Sequence, residues 1–300
     1  MVEPLGQQAE AESGIQRLEA ETRDPPAMML METSRPVMIQ WSEGELRGCQ
    51  DTAEAMVRTG AEVVGEEALT SNISTSFSCE IAGSHIKTST SVKNLGVIFD
   101  STLSFQSHIK SITKSAFYHL RCIAQLRPFI SNKDAETVVH AFVSSRIDFC
   151  NALFIGLPAS SISRLQYIQN SAARILTHTK HSAHITPILY GLHWLPVAYR
   201  IKFKILLLAF KSINGLAPSY LCNILVLYIP IRSLRSSDSG LLAVPRYHLS
   251  SMGGRSFSVI APKLWNSLPR SLRSVNNISE FKSLLKTHLF FECYTSNLIN

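Results

Sequence analysis

The segment 196–215 restricts the possible folds of this chain more strongly than any other part of the sequence. It begins with Pro196, which suits the first turn of a helix, and ends with Asn214 and Gly215, which suit the last. Between these ends it is apolar on nearly every side of a helix. Such a helix must be covered by other elements on all of its faces. The segment therefore predicts a central buried helix within a mainly helical domain.

Elsewhere, apolar residues recur at steps of three and four, which is the spacing of one helical face. The clearest series predicts a helix that begins at Ser104 as its N-cap: Phe105, Ile109, Ile112, Ala116, Leu120 and Ile123. A second helix is expected to begin at a capping box of Ser131 and Asp134 and to place Phe142 on its inner face. Further helices are predicted over 161–176 and 278–291.

Three short runs before these helices are rich in β-forming residues. Runs 77–81 and 85–88, separated by Ala82, Gly83 and Ser84, predict a hairpin, and 93–99 predicts a third strand. Gly96 lies inside this third run, where a missing side chain would let another backbone approach closely.

These patterns predict a mainly α fold in four parts. Residues 1–75 are acidic and are expected to be disordered, because they are poor in aromatic and other core-forming residues. Residues 76–104 are expected to form a small antiparallel β hairpin or meander, and 105–229 a helical body. Residues 230–300 are expected to form an irregular basic extension that ends in a helix.

Charge is divided unevenly between the two ends of the chain. Residues 1–75 carry 14 acidic and 5 basic side chains, a net charge of −9, whereas residues 76–300 carry 8 acidic and 24 basic ones, a net charge of +16. A basic region of this size indicates a nucleic-acid backbone as partner, or an acidic protein surface. A solvated basic surface without a partner is the alternative.

Two sets of basic residues have the same spacing of four and eleven positions, which keeps each set within about 40° on a helix. Lys110, Lys114 and Arg121 lie opposite the apolar series of the first helix. Arg200, Lys204 and Lys211 share one edge of the central helix. We expect both sets to contact phosphates, and Lys93 in the third β run is a further candidate.

The acidic residues do not form a polymerase-type metal site. Such a site needs neighbouring carboxylates, usually an aspartate pair, to hold two divalent metals. Residues 76–300 contain four aspartates, and no two of them are adjacent: Asp100, Asp134, Asp148 and Asp238. Asp100 is better interpreted as a turn residue. No catalytic residue and no cofactor is therefore predicted, and we expect no enzyme activity from this chain.

Three further groups of residues have both a functional and a structural interpretation. His178, His181 and His184 would be neighbours on a helix, but no cysteine or carboxylate is close enough to complete a zinc site, so no metal is predicted. Arg146, on the apolar face of its helix, would form a structural ion pair or reach a phosphate, and the ion pair is favoured. Trp194, after His193, would stack on a base or pack in the core, and the core is favoured.

The cysteines and the N-terminus indicate where the chain acts. The six cysteines include no Cys-x-x-Cys pair, and Cys122, Cys150 and Cys222 fall within apolar helical patterns, which fits buried thiols in a reducing compartment. Glu3 stands where a secretory signal would carry basic residues, and no apolar run follows it. The longest apolar run of the body, 205–210, is too short to span a bilayer. We therefore expect an intracellular protein of the nucleus or cytoplasm, neither secreted nor bound to a membrane.

A family resemblance rests on seven segments in collinear order. The first is V-K-N-L-G-V-I-F-D-S-T-L-S-F-x-x-H-I at 92–109; the others are S-R-I-D-F-C-N-A-L (145–153), L-Q-Y-I-Q-N-S-A-A-R (165–174), H-I-T-P (184–187), L-H-W-L-P (192–196), A-P-S-Y-L (217–221) and W-N-S-L-P (265–269). Together they resemble the region that follows the catalytic palm in reverse transcriptases of LINE-type (non-LTR) retrotransposons. The resemblance covers roughly 77–294.

The resemblance implies a function as well as a fold. It implies that 76–104 corresponds to the end of the palm and the primer grip, and that 105–229 is a thumb-like domain. Residues 1–75 do not resemble the palm that precedes this region in the family. The expected function is thus to hold a duplex or an RNA/DNA hybrid without sequence preference and without polymerising. A protein-interaction module, or a transposon-derived fragment without a function of its own, remains an alternative.

Overall fold

The computed structural model describes residues 78–81, 84–87, 89–230, 240–249 and 252–295. The expectation that residues 1–75 are disordered lies outside the described residues. The described chain is mainly helical with small antiparallel β elements before the helices, as the sequence predicts.

The β residues form two hairpins instead of a hairpin and a third strand. Strand β1 (Ser78–Ile81) pairs with β2 (Ser84–Lys87), and β3 (Ser91–Asn94) pairs with β4 (Val97–Asp100). The prediction of one continuous strand over 93–99 is therefore wrong. Leu95 and Gly96 both have positive φ, 45° and 86°, which is the backbone of a tight two-residue hairpin turn. Gly96 thus allows a turn to form, and the group that approaches it is the Phe149 ring, not another backbone.

Ten α-helices follow the hairpins in the described residues. They are α1 (Gln106–Leu126), α2 (Asn132–Val139), α3 (Ser145–Asp148), α4 (Ala159–Thr177), α5 (Ile185–Gly191), α6 (Val197–Ile213), α7 (Ser219–Cys222), α8 (Phe257–Asn266), α9 (Arg270–Arg273) and α10 (Ile278–Thr295). Short 3₁₀ turns occur at Arg127–Phe129, Asn151–Phe154 and Gly253–Arg255.

Helix α6 forms the centre of the core, as its composition predicts. It packs against α3, α4, α8, α10 and the 3₁₀ turn Asn151–Phe154, so that neighbours cover it on several sides. Ile201 and all residues from Ile205 to Phe210 are buried. Phe210 stacks on Phe281 of α10 with ring centroids 4.2 Å apart. Burial of this much apolar surface is the main source of stability for such a helix.

The second predicted helix is interrupted by a π-helical turn, His140–Ser144. Its buried residues Val139, Val143 and Ile147 are spaced by four, and in a regular α-helix each such step would rotate about 40° away from the core. The wider π turn, in which the Ser145 N–H bonds to the His140 carbonyl, keeps them in phase. Val143 then faces the core and Phe142 is exposed, so the predicted inward position of Phe142 is wrong.

The C-terminal extension is more regular than its composition suggests. Within the range 230–275, expected to be irregular, the structure contains α8 and α9. Trp265 of α8 is buried, and its indole N–H donates to the Gly240 carbonyl at 2.8 Å. Arg255 donates to the carbonyls of Ile155 (3.1 Å) and Leu103 (3.3 and 3.4 Å), which joins this region to the segment between β4 and α1.

Candidate nucleic-acid interface

Lys110, Lys114 and Arg121 all lie on the exposed face of α1. We call these three residues the α1 basic stripe. None of them has a hydrogen bond or an ion pair with another described residue, and α1 contains no Asp or Glu. At a rise of about 1.5 Å per residue the stripe is about 16 Å long, close to five base-pair steps of a duplex. The stripe is therefore a row of free cations of the length of a short backbone segment.

The inner face of α1 fixes the direction of the stripe. Ile109, Ile112, Ala116, Leu120 and Ile123 are buried, as predicted, and α1 packs mainly against α4. Because the stripe lies opposite this apolar face, packing of the core turns the three cations towards solvent.

Asp100, the turn residue that the sequence suggests, positions the start of α1. Its carboxylate accepts hydrogen bonds from the Ser104 N–H (2.8 Å), the Phe105 N–H (2.7 Å) and the Thr102 hydroxyl (2.7 Å). Burial would raise the pKa of Asp100, but these hydrogen bonds outweigh it and lower the pKa. The helix begins after Phe105, and the Gln106 N–H donates to the Ser104 hydroxyl at 3.4 Å. Asp100 therefore holds the two residues that precede the helix, and Ser104, the predicted N-cap, makes a long contact to its first N–H.

Arg200 belongs to a buried ion pair and not to an exposed edge. Its guanidinium donates to Asp148 of α3 at 2.6 Å and to the Leu195 carbonyl at 2.9 Å. The side chains of Arg200 and Asp148 are 12% and 2% exposed. The second carboxylate oxygen of Asp148 accepts from the Asn151 amide at 3.3 Å. Arg200 therefore connects α6 to α3 within the core.

Lys204 and Lys211, the other two residues of the second predicted set, are not exposed either. Lys204 is 3% exposed, and Lys211 is half-buried in the last turn of α6. The expectation that these residues share an exposed edge with Arg200 is corrected, because the neighbours that bury the apolar faces of α6 also cover this edge.

Lys93 is exposed on β3, opposite Ile98 of β4 in the hairpin register. Because β4 packs against α1, the hairpin and the α1 basic stripe belong to the same part of the fold. Lys93 remains a candidate phosphate contact at the edge of this surface.

The other candidates separate into core and surface. Trp194 is buried, as favoured by the sequence, and the Tyr294 hydroxyl donates to its carbonyl at 2.5 Å. Arg146 is exposed, so the prediction that it forms a structural ion pair is wrong. The arginine that forms such a pair is Arg200. His178 and His184 lie at the ends of two different helices, α4 and α5. They therefore do not share one helical face with His181.

Sequence reasoning missed a group of three aromatic rings, of which Tyr118 lies beside the α1 basic stripe. Tyr118 of α1 meets His119 edge-on with centroids 5.4 Å apart, and His119 stacks on Phe142 at 5.2 Å. We call these three residues the aromatic stack. The position of Tyr118, four residues after Lys114 and three before Arg121, was visible in the sequence. The exposure of Phe142 was not, since it depends on the π turn.

Many other basic residues already have partners within the fold. Lys202 pairs with Glu292 at 3.1 Å, Lys263 donates to the Tyr247 hydroxyl at 2.8 Å, and Arg255 binds two carbonyls. These charges contribute to packing, whereas the three cations of the α1 basic stripe are exposed and have no hydrogen bond or ion pair with another described residue.

These features define a mainly helical domain with an exposed cationic helix. Comparison with protein-family models, with curated proteins and with solved structures found no match to this chain. Among the described residues, no helix is both long enough and apolar enough to cross a membrane.

Proposed function

We propose that this chain holds the backbone of a nucleic-acid duplex or RNA/DNA hybrid without reading its sequence. The observation that carries the proposal is the α1 basic stripe, three exposed cations without internal partners on a helix that contains no acidic residue. Lysine and arginine side chains in such a row neutralise phosphates and release counterions, and they make no base-specific contact.

The proposal also draws on the resemblance to the post-palm region of non-LTR reverse transcriptases. In this interpretation the helical body acts as a thumb, and the β3–β4 hairpin that packs on α1 corresponds to the primer grip. Lys93 then contributes a peripheral phosphate contact. Arg200 and Lys204 act through the fold, since one is in a buried ion pair and the other is buried.

We further propose that the chain does not polymerise nucleotides by itself. The three aspartates among the described residues each have other partners: Asp100 accepts from the Ser104 and Phe105 N–H groups, Asp134 bonds to Ser131, and Asp148 pairs with Arg200. Their carboxylates therefore do not meet to bind a pair of metal ions of the kind polymerases need.

A protein-interaction module is the second candidate function, and a different surface favours it. Val226, Leu227, Tyr228 and Ile229 form a consecutive run of exposed apolar side chains after α7. Contiguous exposed apolar surface is typical of protein-binding sites. Under this alternative the basic surface meets an acidic protein.

The two functions are separated by a charge-matched comparison. The stripe variant Lys110→Ala/Lys114→Ala/Arg121→Ala is compared with a control variant of equal charge, Lys133→Ala/Lys180→Ala/Arg270→Ala, whose residues are also exposed. We expect the stripe variant to bind a fluorescein-labelled hybrid at least 10-fold more weakly in anisotropy titrations, and the control to lose much less.

Both variants should melt within a few degrees of the parent, because exposed charges contribute little to stability. Equal losses in the two variants would mean that total charge, not the α1 face, determines binding. Unchanged binding by the stripe variant would contradict the proposal and favour the interaction module.

A further inference from the structure

The aromatic stack adds a chemical feature that backbone binding alone does not require. Tyr118 is 63% exposed and Phe142 is 46% exposed, although both are large apolar rings. They come from different elements, α1 and the π turn, and His119 between them holds the three rings together. Exposure of Phe142 results from the π turn, a deviation that occurs often at functional sites.

One ring of the aromatic stack, Tyr118, lies beside the cations of the α1 basic stripe. Tyr118 lies on the same helical face as Lys114 and Arg121, about one turn from each along the helix axis. A backbone that contacts both cations must therefore pass next to the Tyr118 ring. His119 and Phe142 extend the aromatic surface away from the stripe.

Cations that alternate with exposed rings are typical of surfaces that bind single strands. Every unpaired base offers a flat face that stacks on an aromatic ring, whereas the faces of bases inside a duplex are covered by their neighbours. A duplex would contact the cations through its phosphates, and its bases would not stack on Tyr118.

We propose that the aromatic stack binds unpaired bases of a single strand whose phosphates lie on the α1 basic stripe. This inference rests on the proposed function and extends it from a duplex to a strand that is unpaired where it passes Tyr118. Tyr118 stacks on one base, and His119 and Phe142 support that ring and extend the platform.

The test compares three labelled probes with the full chain: a strand of twelve thymidines, an abasic strand of equal length and charge, and a blunt twelve-pair duplex. We expect Tyr118→Ala to weaken binding of the thymidine strand by about fivefold or more. Binding of the abasic strand and of the duplex should change less than twofold. The salt dependence should stay that of the parent, since no charge is removed.

Matched variants separate stacking from general disruption. Tyr118→Phe keeps the ring and should restore binding of the thymidine strand, whereas Tyr118→Leu, apolar but not aromatic, should not. Phe291→Ala removes a ring of similar exposure, 58%, on α10 and should have no effect.

A uniform loss on all three probes, or no loss on any, would overturn the inference. The proposed function would still stand if the stripe variant Lys110→Ala/Lys114→Ala/Arg121→Ala bound the duplex weakly. If that variant also bound like the parent, the proposed function itself would fail.

Discussion

The assignment of Arg200 to the core can be tested by breaking its ion pair with Asp148. In Arg200→Met the Asp148 carboxylate, 2% exposed, keeps only the Asn151 amide at 3.3 Å as a side-chain partner. Removal of one partner from a buried pair costs about 3–5 kcal/mol, because the other charge remains buried without compensation. In a domain of this size each kcal/mol corresponds to about 2–4 °C, so the melting temperature should fall by about 6–20 °C.

Arg146→Met provides a matched control for this experiment. Arg146 is an arginine of α3, two residues before Asp148, but its side chain is exposed. The Arg146→Met variant should shift the melting temperature by less than about 2 °C in the same thermal scan. The double variant Asp148→Leu/Arg200→Met should recover much of the loss, since an apolar pair of similar volume has no buried charge.

Equal and small shifts for Arg200→Met and Arg146→Met would refute the reasoning. Arg200 would then not stabilise the core, and it would again be a candidate phosphate contact.

Three further predictions follow from the described contacts and from the aspartate pattern. Burial lowers the pKa of His108 and His140, so below about pH 6.5 the unfolded chain binds more protons than the folded chain. The free energy of unfolding must therefore decrease as the pH falls. His108→Leu should make that fall smaller in urea titrations at pH 7 and pH 5; an unchanged fall would contradict this. Gly156→Ala should melt at least about 2 °C below Gly215→Ala, because both have positive φ but only at Gly156 does an added methyl lie 2.6 Å from Arg255 Cγ. Equal melting temperatures would exclude that contact. With template, primer, Mg²⁺ and deoxynucleotides the chain should extend no primer; extension that depends on one of its aspartates would refute this.

Local signals in the sequence predicted much of the fold. The capping box at Ser131 and Asp134 is present, with the Asp134 N–H donating to the Ser131 hydroxyl at 3.2 Å. The burial of α6 followed from its apolar composition. Gly215 follows the end of α6 with a φ of 66°, a positive value that glycine adopts without steric cost.

The errors arose where tertiary contacts override a local pattern. Gly96 was placed inside a strand, because the sequence does not show that Leu95 also adopts positive φ. Phe142 fits an α-helical stripe, and only the π turn places it outside. Equal spacing made the charges of α6 resemble the α1 basic stripe, but spacing does not show which edges of a helix other helices cover.

The central claim is that the α1 basic stripe neutralises phosphates, and the salt dependence of binding tests it most directly. The slope of log affinity against log salt counts the phosphates that are neutralised, about 0.9 for each in duplex DNA. Removal of Lys110, Lys114 and Arg121 together should therefore flatten the slope for a duplex by about 2–3 units relative to the parent. The charge-matched control Lys133→Ala/Lys180→Ala/Arg270→Ala should keep the slope of the parent. An unchanged slope in the stripe variant would contradict the account and would make this face of α1 a solvated surface.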